Sequence, residues 1–380
     1  IQSITEFTGG GRYVLEPIET ATTGLKALKI NLSQDPFRHI YFDYLYVEYR
    51  QPIGTDTQLD RVWGGTDIFN GSLIHVCQES WLLDATPPAS KRTTVVPVGS
   101  TFSAPRTGVI VTTVSKTPEN ITVDVTFVAE LLVTRGLAIV HSPNEVEINA
   151  EISNLGLVSA SNIHYTLSVP GDEPSRVEVI YEDTILVLDP QETYTINQTF
   201  SFNTLPASIT LQIDPNNEVK NEYYRDNNVY GLPFVLPGWP QNLVWSIESS
   251  PAIANIDSET PELEITVAFG HAFYANGTTL PGWLGQNYPT LSSPAIADLD
   301  GDSVLEVVVG IGNRVYAWHA NGSLVQGWPQ GQGVDDFVIS SPALVDLDKD
   351  GILEIVVGSE GNLVIGDRLT SFGDVYVWHA

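Results

Sequence analysis

SSPAIADLDGDSVLEVVVG at residues 292–310 returns 48 positions later as SSPALVDLDKDGILEIVVG at 340–358. In each copy Asp fills loop positions 1, 3 and 5 and Glu fills position 9, just before a Val-rich strand. Alternate residues of a tight loop point their oxygens at one centre. A hard cation such as Ca²⁺ wants about six to eight oxygens at about 2.3–2.6 Å. The spacing therefore predicts a Ca²⁺ site at Asp298, Asp300, Asp302 and Glu306 and a second at Asp346, Asp348, Asp350 and Glu354. The carbonyls of Val304 and Ile352 are expected at position 7. The alternative is a solvated acidic turn without metal, and mutual repulsion of four carboxylates in one turn works against it.

An earlier, degraded copy lies at 249–270, SSPAIANIDSETPELEITVAFG. Asn255, Asp257 and Glu259 keep the spacing there, but Glu264 is displaced by one residue and Pro261 stiffens the loop, so a weaker cation site is expected. The serine pairs begin at 249, 292 and 340, spacings that match one four-stranded propeller blade per repeat. LPGWPQ, LPGWLG and QGWPQG precede the three copies, and FYANG, VYAWHANG and VYVWHA follow them. His319 and His379, beside Trp318 and Trp378, read as blade-packing residues.

These features resemble the FG-GAP or VCBS repeats of integrin-α-like β-propellers. The resemblance covers residues 236–380 and implies calcium that braces each blade and does no chemistry. Three repeats do not close a propeller. The last copy stops at VYVWHA where the previous one continued with NGSLVQGWPQ, so an incomplete propeller is expected, with further blades outside this sequence.

Charge divides the chain. Acidic residues number 46 against 17 basic, a net charge of −29 that disfavours nucleic acid and anionic membranes as partners. Residues 1–135 carry a net −3, residues 136–235 carry −11 and residues 236–380 carry −15. Self-assembly is therefore expected to centre on the near-neutral first segment. No run approaches the roughly 18 apolar residues of a membrane span, so direct insertion within these residues is not expected. There is no methionine, which reads as a mature product that has lost its leader, or a fragment. The single cysteine, Cys77, reads as a small buried apolar side chain. Sequons at Asn31, Asn70, Asn120, Asn197, Asn276 and Asn321 favour a surface glycoprotein.

Short runs of Val, Ile, Thr and Tyr, broken by Gly, Pro and Asn, indicate an all-β protein. Composition breaks near Arg135-Gly136 and Gly231-Leu-Pro give three domains, 1–135, 136–235 and 236–380. The first is expected to be a β-sandwich. Its stretch FRHIYFDYLYVEYR is apolar on both faces, with Ile40, Phe42, Tyr44 and Tyr46 on one and Tyr41, Leu45, Val47 and Tyr49 on the other. It reads as a central strand, with a subunit contact or an aromatic ligand platform as alternatives. The N-terminal arm Ile1–Thr8 precedes Gly9-Gly10-Gly11 and reads as a frayed end or a strand donated to a neighbour's sheet.

The middle segment reads as a seven-stranded Ig-like sandwich. Asn154-Leu-Gly156 followed by Ala160, Leu188-Asp189-Pro190, and the run from Asp214 to Asn227-Asn228 resemble the CARDB domains of prokaryotic surface proteins. That resemblance implies a spacer or contact module. Asp214, Asn216 and Glu218 read as Asx turns, with another cation site as the alternative.

The chain lacks a Gly-x-Ser-x-Gly elbow, a His-Glu-x-x-His motif and a glycine-rich phosphate loop. The leading expectation is a non-enzymatic, extracellular structural or adhesive protein, associating with itself, with other surface proteins or with glycans, with the subunit of a filament or layer as one form of it. The accessory part of a secreted hydrolase and a carbohydrate-binding module are the alternatives.

Overall fold

The computed structural model describes residues 4–7, 10–32, 44–53, 69–76, 81–82, 95–104, 107–171, 176–243, 246–283, 285, 290–331, 336–365 and 368–380. Cys77, His39 and positions 40–43 of the aromatic stretch lie outside them. The fold is all-β. Among the described residues the only helical turn is Ala268–Gly270, and no helix is long and apolar enough to cross a membrane. The chain divides into two compact units, Ile1–Phe234 and Val235–Ala380.

The first unit holds two sandwiches. In the N-terminal one, a sheet containing Ile4–Phe7, Ala27–Asn31, Tyr44–Glu48 and Gly71–Val76 faces a sheet of Gly11–Leu15, Ile121–Phe127, Val109–Lys116 and Thr101–Ala104. Alternate residues point inward, so Leu28 and Ile30 from one sheet meet Val111, Ile121 and Val123 from the other, all at most 1% exposed. Each such side chain contributes about 1.5–3 kcal/mol when fully buried. Tyr44–Glu48 is a central strand, paired on both sides. Leu45, Val47 and Tyr49 enter the core, while Tyr44 and Tyr46 lie half-buried on the outer face with the Lys29 ammonium 3.5 Å from the Tyr44 ring centroid.

The second sandwich packs Thr193–Ser201, Glu145–Asn154 and Leu131–Ser142 against a four-stranded sheet of Val177–Leu188, Ala160–Pro170, Ile209–Ile213 and Val229–Leu232. Leu131–Ser142 runs unbroken through the expected 135–136 boundary, so composition and backbone continuity divide the chain at different points. Gly156 explains part of the junction with the first sandwich. A Cβ there would lie 2.3 Å from the Val128 carbonyl oxygen and 2.5 Å from the Glu130 nitrogen, which lets the Leu157 amide reach the Val128 carbonyl at 3.1 Å.

The second unit repeats one sheet three times. Ala252–Ala254, Glu264–Val267 and His271–Phe273 form the first, and Ala295–Ala297, Glu306–Ile311, Arg314–Trp318 and Gln330–Gly331 the second. The third is built on the long strand Glu354–Ile365, which pairs Ala343–Val345 and Val375–His379 near one end and Asp336–Val338 and Arg368–Phe372 near the other.

Registers coincide between repeats. Ala254 lies opposite Glu264, Ala297 opposite Glu306, and Val345 opposite Glu354. The serine pairs link successive sheets: the Ser250 amide donates to Ser293 Oγ at 3.0 Å, and the Ser293 amide to Ser341 Oγ at 3.0 Å. Connector tryptophans repeat too, with Trp239 on Phe273, Trp283 on Trp318 and Trp328 on Trp378 at 5.7, 5.8 and 6.0 Å between rings. Trp239 and Trp283 each donate their indole N–H to a carbonyl, of Ala275 and Ala320, at 2.8 Å. Gly282, at φ +85°, must be glycine, since a Cβ would come 2.0 Å from the Asn321 carbonyl oxygen. The described residues do not form a closed propeller.

Candidate metal centres

Each acidic loop joins the first strand of a repeat to the second, and backbone conformation aims its carboxylates. Positions 4 and 6 are left-handed in both good loops: Gly301 and Ser303 at φ +78° and +69°, Lys349 and Gly351 at +65° and +94°. Glycine supplies one of the two turns in each loop at no steric cost, at position 4 in one and position 6 in the other. Loop amides then donate to the carboxylates. Asp298 accepts from Gly301 at 2.7 Å and Ser303 at 3.0 Å, and Asp346 accepts from Asp350 and Gly351, both at 3.1 Å. The Val304 and Ile352 amides donate to Asp302 and Asp350 at 2.7 and 2.8 Å.

Beneath each loop lies a buried glutamate. Glu306, fully buried, accepts from the Leu299 amide at 2.8 Å through Oε2, and Glu354, 6% exposed, accepts from Leu347 at 2.7 Å. Glu264, also fully buried, accepts from Ile256 at 2.7 Å and Asp257 at 3.1 Å. The one-residue displacement of Glu264 is thus an insertion confined to the loop, and the glutamate keeps its place in the sheet. A buried carboxylate needs compensation. Glu306 Oε1 finds His319 Nδ1 at 3.2 Å, while Glu264 Oε1 and Glu354 Oε1 have no hydrogen-bond partner. Burial pushes the Glu306 carboxyl above its ordinary range.

One oxygen each from Asp298, Asp300 and Asp302 lie within 4.8 Å of one another, as do ligand atoms of Asp300, Glu306 and His319, and of Asp348, Asp350, Glu354 and His379. Asp346 orders the third loop through its amides. In the first loop, Asn255 donates its amide to the Thr260 carbonyl, Asp257 accepts from the Tyr274 hydroxyl at 3.1 Å, and Glu259 is exposed. No three acidic or histidine ligand atoms of that loop converge in this way among the described residues.

His319 and His379 occupy a place the sequence reading assigned to packing. The packing is done by Trp318 and Trp378, stacked on Tyr316 and Tyr376, and the histidines reach the loops. His379 Nε2 lies 3.0 Å from Asp350 Oδ2 and 3.7 Å from Glu354 Oε1. Its hydrogen bond to Asp350, then the Ala380 backbone, raises its pKa, while the Ile352 amide, then His379, lowers that of Asp350. Tyr274 holds the equivalent position in the first repeat. The signal was in the sequence, as a polar residue recurring directly after the same strand.

In the second sandwich Asp214 takes the Asx-turn role. Its side chain is fully buried and accepts from the Glu218 amide at 2.7 Å, the Val219 amide at 3.1 Å and the Arg225 guanidinium. Arg225 also lies 3.4 Å from buried Glu222, and Asn228 Nδ2 donates to Glu222 at 3.1 Å. Asn154 uses every side-chain hydrogen bond it has, accepting from the Glu130 and Gly156 amides and donating to the Val158 and Leu188 carbonyls. Asp214, Arg225, Glu222 and Asn228 of the sequence pattern therefore form one polar network, and Asn154 is a separate, locally satisfied centre.

Residues 128–231 match the CARDB family model. This segment is a CARDB domain. Among solved structures, the CARDB domain of a Pyrococcus furiosus protein in complex with di-metal ions is 20% identical, over 28% of this chain and 90% of its own, with a TM-score of 0.23. The V. cholerae biofilm matrix protein Bap1 is 11% identical over 87% of this chain, with a TM-score of 0.21. The chain spans about half of that protein, 52%. No curated protein matches.

Burial pushes the Glu222 carboxyl of the CARDB domain up to about 7. The folded value lies above the unfolded one, so this group's contribution to stability is complete below about pH 4.5 and lost as pH rises through about 7. Chemical denaturation between pH 4.5 and 7.5 is expected to show Glu222→Gln losing a pH dependence on the order of 3 kcal/mol that the native chain retains. Identical slopes for the two proteins would refute the assignment.

Proposed function

We propose that the chain is an extracellular, non-enzymatic structural protein of a cell surface or matrix, in which the N-terminal sandwich and the CARDB domain carry propeller blades of the FG-GAP/VCBS type braced by Ca²⁺. The supporting observation is the convergence of loop carboxylates above a buried glutamate in two successive repeats, with Glu354 Oε1 left without a hydrogen bond. Oxygen-rich donor sets of this kind suit a hard cation. Asp298, Asp300, Asp302 and Glu306 would hold one ion and Asp346, Asp348, Asp350 and Glu354 the other, with Val304 and Ile352 adding backbone oxygen. The ion neutralises carboxylates that otherwise repel, and so ties the loop to the sheet beneath it.

A surface setting is in keeping with the CARDB domain. Sequon asparagines at 31, 70, 197, 276 and 321 are exposed and Asn120 is half-buried, positions compatible with glycan attachment. The partners proposed are other copies, other surface proteins or glycans.

Calorimetric titration of the chelator-treated chain with Ca²⁺ is expected to give two sites in the second unit. Asp348→Ala should remove one and leave the other. No heat above dilution, or an unchanged stoichiometry in Asp348→Ala, would overturn the calcium reading.

A further inference from the structure

We infer that the acidic loop of the third repeat prefers a transition-metal dication of the Zn²⁺ class over Ca²⁺, bound through His379 together with Asp348, Asp350 and Glu354. The inference rests on reading this loop as a cation site and adds which metal it selects.

The second and third loops match in sequence but differ in what they bring together. In the second repeat one oxygen each from Asp298, Asp300 and Asp302 converge, an all-oxygen group that includes loop position 1. In the third, Asp346 at position 1 drops out of the converging group and His379 enters it, so that ligand atoms of Asp348, Asp350, Glu354 and His379 lie within 4.8 Å of one another. Strand register puts the histidine there, because His379 is the direct partner of Glu354 across the ladder.

The floor of this group carries the argument. The Glu354 side chain is 8% exposed, its Oε2 accepts from the Leu347 amide at 2.7 Å, and its Oε1 has no hydrogen-bond partner. His379 Nε2 is 3.7 Å from that oxygen, beyond hydrogen-bond reach, and 3.0 Å from Asp350 Oδ2. A buried carboxylate oxygen without a donor is costly, and an ion seated between Glu354, Asp350 and His379 removes the cost. The second repeat lacks this opening. Asp300, Glu306 and His319 also approach one another there, but only three ligand atoms meet, and Glu306 Oε1 already holds His319 Nδ1 at 3.2 Å.

The nitrogen decides the class of metal. Ca²⁺ wants about six to eight oxygens. Imidazole suits Zn²⁺ and its neighbours, and Zn²⁺ is satisfied by four ligands drawn from histidine nitrogen and carboxylate oxygen. The ion has a way in, since the His379 and Asp350 side chains are 48% and 44% exposed.

The test titrates the full chain with Zn²⁺ at saturating Ca²⁺ and compares it with H379Q, which puts an amide in place of the imidazole at a half-exposed position. Zn²⁺ is expected to displace one of two Ca²⁺ ions from the native chain. H379Q should bind Zn²⁺ more weakly by at least the roughly tenfold that loss of even an outer-shell partner costs, with its Ca²⁺ stoichiometry unchanged. Co²⁺ in place of Zn²⁺ reads ligation directly, through visible ligand-field bands of a four-coordinate nitrogen and oxygen site that are lost in H379Q. Equal Zn²⁺ affinity and equal Co²⁺ spectra in the two proteins overturn the inference. So does a native chain in which Ca²⁺ fills two sites and Zn²⁺ displaces neither, a result that leaves the calcium reading intact. Zn²⁺ held through His379 in a chain that gives no heat with Ca²⁺ upholds the inference and removes the calcium reading instead.

Discussion

Replacing Arg225 with Met is expected to destabilise the first unit by about 3–5 kcal/mol, because it removes the only guanidinium from between two buried carboxylates. The side chains of Asp214 and Glu222 are both 0% exposed, and Arg225 contacts each. Asp214 would keep two backbone amides and Glu222 would keep Asn228, but neither would keep a counter-charge. Lysine restores the charge without the planar fork that also reaches the Val219 carbonyl, so Arg225→Lys should fall between the two. Adding Asp214→Asn and Glu222→Gln to Arg225→Met should recover part of the loss. Denaturant unfolding reads all four proteins, and a loss below about 1 kcal/mol for Arg225→Met would mean the network is not stabilised by that charge.

Chelation should produce the second large effect, confined to residues 235–380. A ligand present at about a hundred times its dissociation constant stabilises by about 2.7 kcal/mol per site, so two sites give about 5 kcal/mol. For a unit of this size that corresponds to roughly 10–20 °C in the midpoint. Differential scanning calorimetry with Ca²⁺ and with excess EDTA should show one transition moving and the other holding still. Mg²⁺ should restore less than Ca²⁺, since it demands a stricter octahedral geometry and gives up water reluctantly. A midpoint unchanged by EDTA would remove the ions from the account of this unit.

The repeats were legible because they place each chemically distinctive residue at the same place in the order of every copy. Serine pairs, connector tryptophans and glutamates all recur in register, and the structure uses each for the same contact three times or twice. The CARDB segment was legible for a related reason: Asn154 and Asp214 are polar residues that the interior tolerates because their side chains are hydrogen-bonded, so their pattern is restrictive. Less was legible where residues serve a partner distant in sequence. Glu264 looked out of place because spacing along the chain counts an inserted loop residue, while the ladder opposite Ala254 does not. The recurrence of His319, His379 and Tyr274 signalled a shared role, but which loop each one reaches was hidden, because a polar residue at the end of an aromatic strand does not reveal what lies across it.

Local alternation, composition and repeat spacing determined that this protein is all-β and that acidic loops recur near its C-terminal end, and the resemblance of a short polar pattern pointed to a CARDB-like sandwich in its middle. These are properties of neighbouring residues, and neighbours are what a sequence displays. Only the tertiary structure decided that Ile4–Phe7 adds a parallel strand at a sheet edge, that Arg225 is shared between Asp214 and Glu222, and that a histidine or tyrosine from one strand meets the acidic loop of its own repeat. Each depends on strand order and facing direction, which are set by packing of the whole core and not by any single stretch of chain.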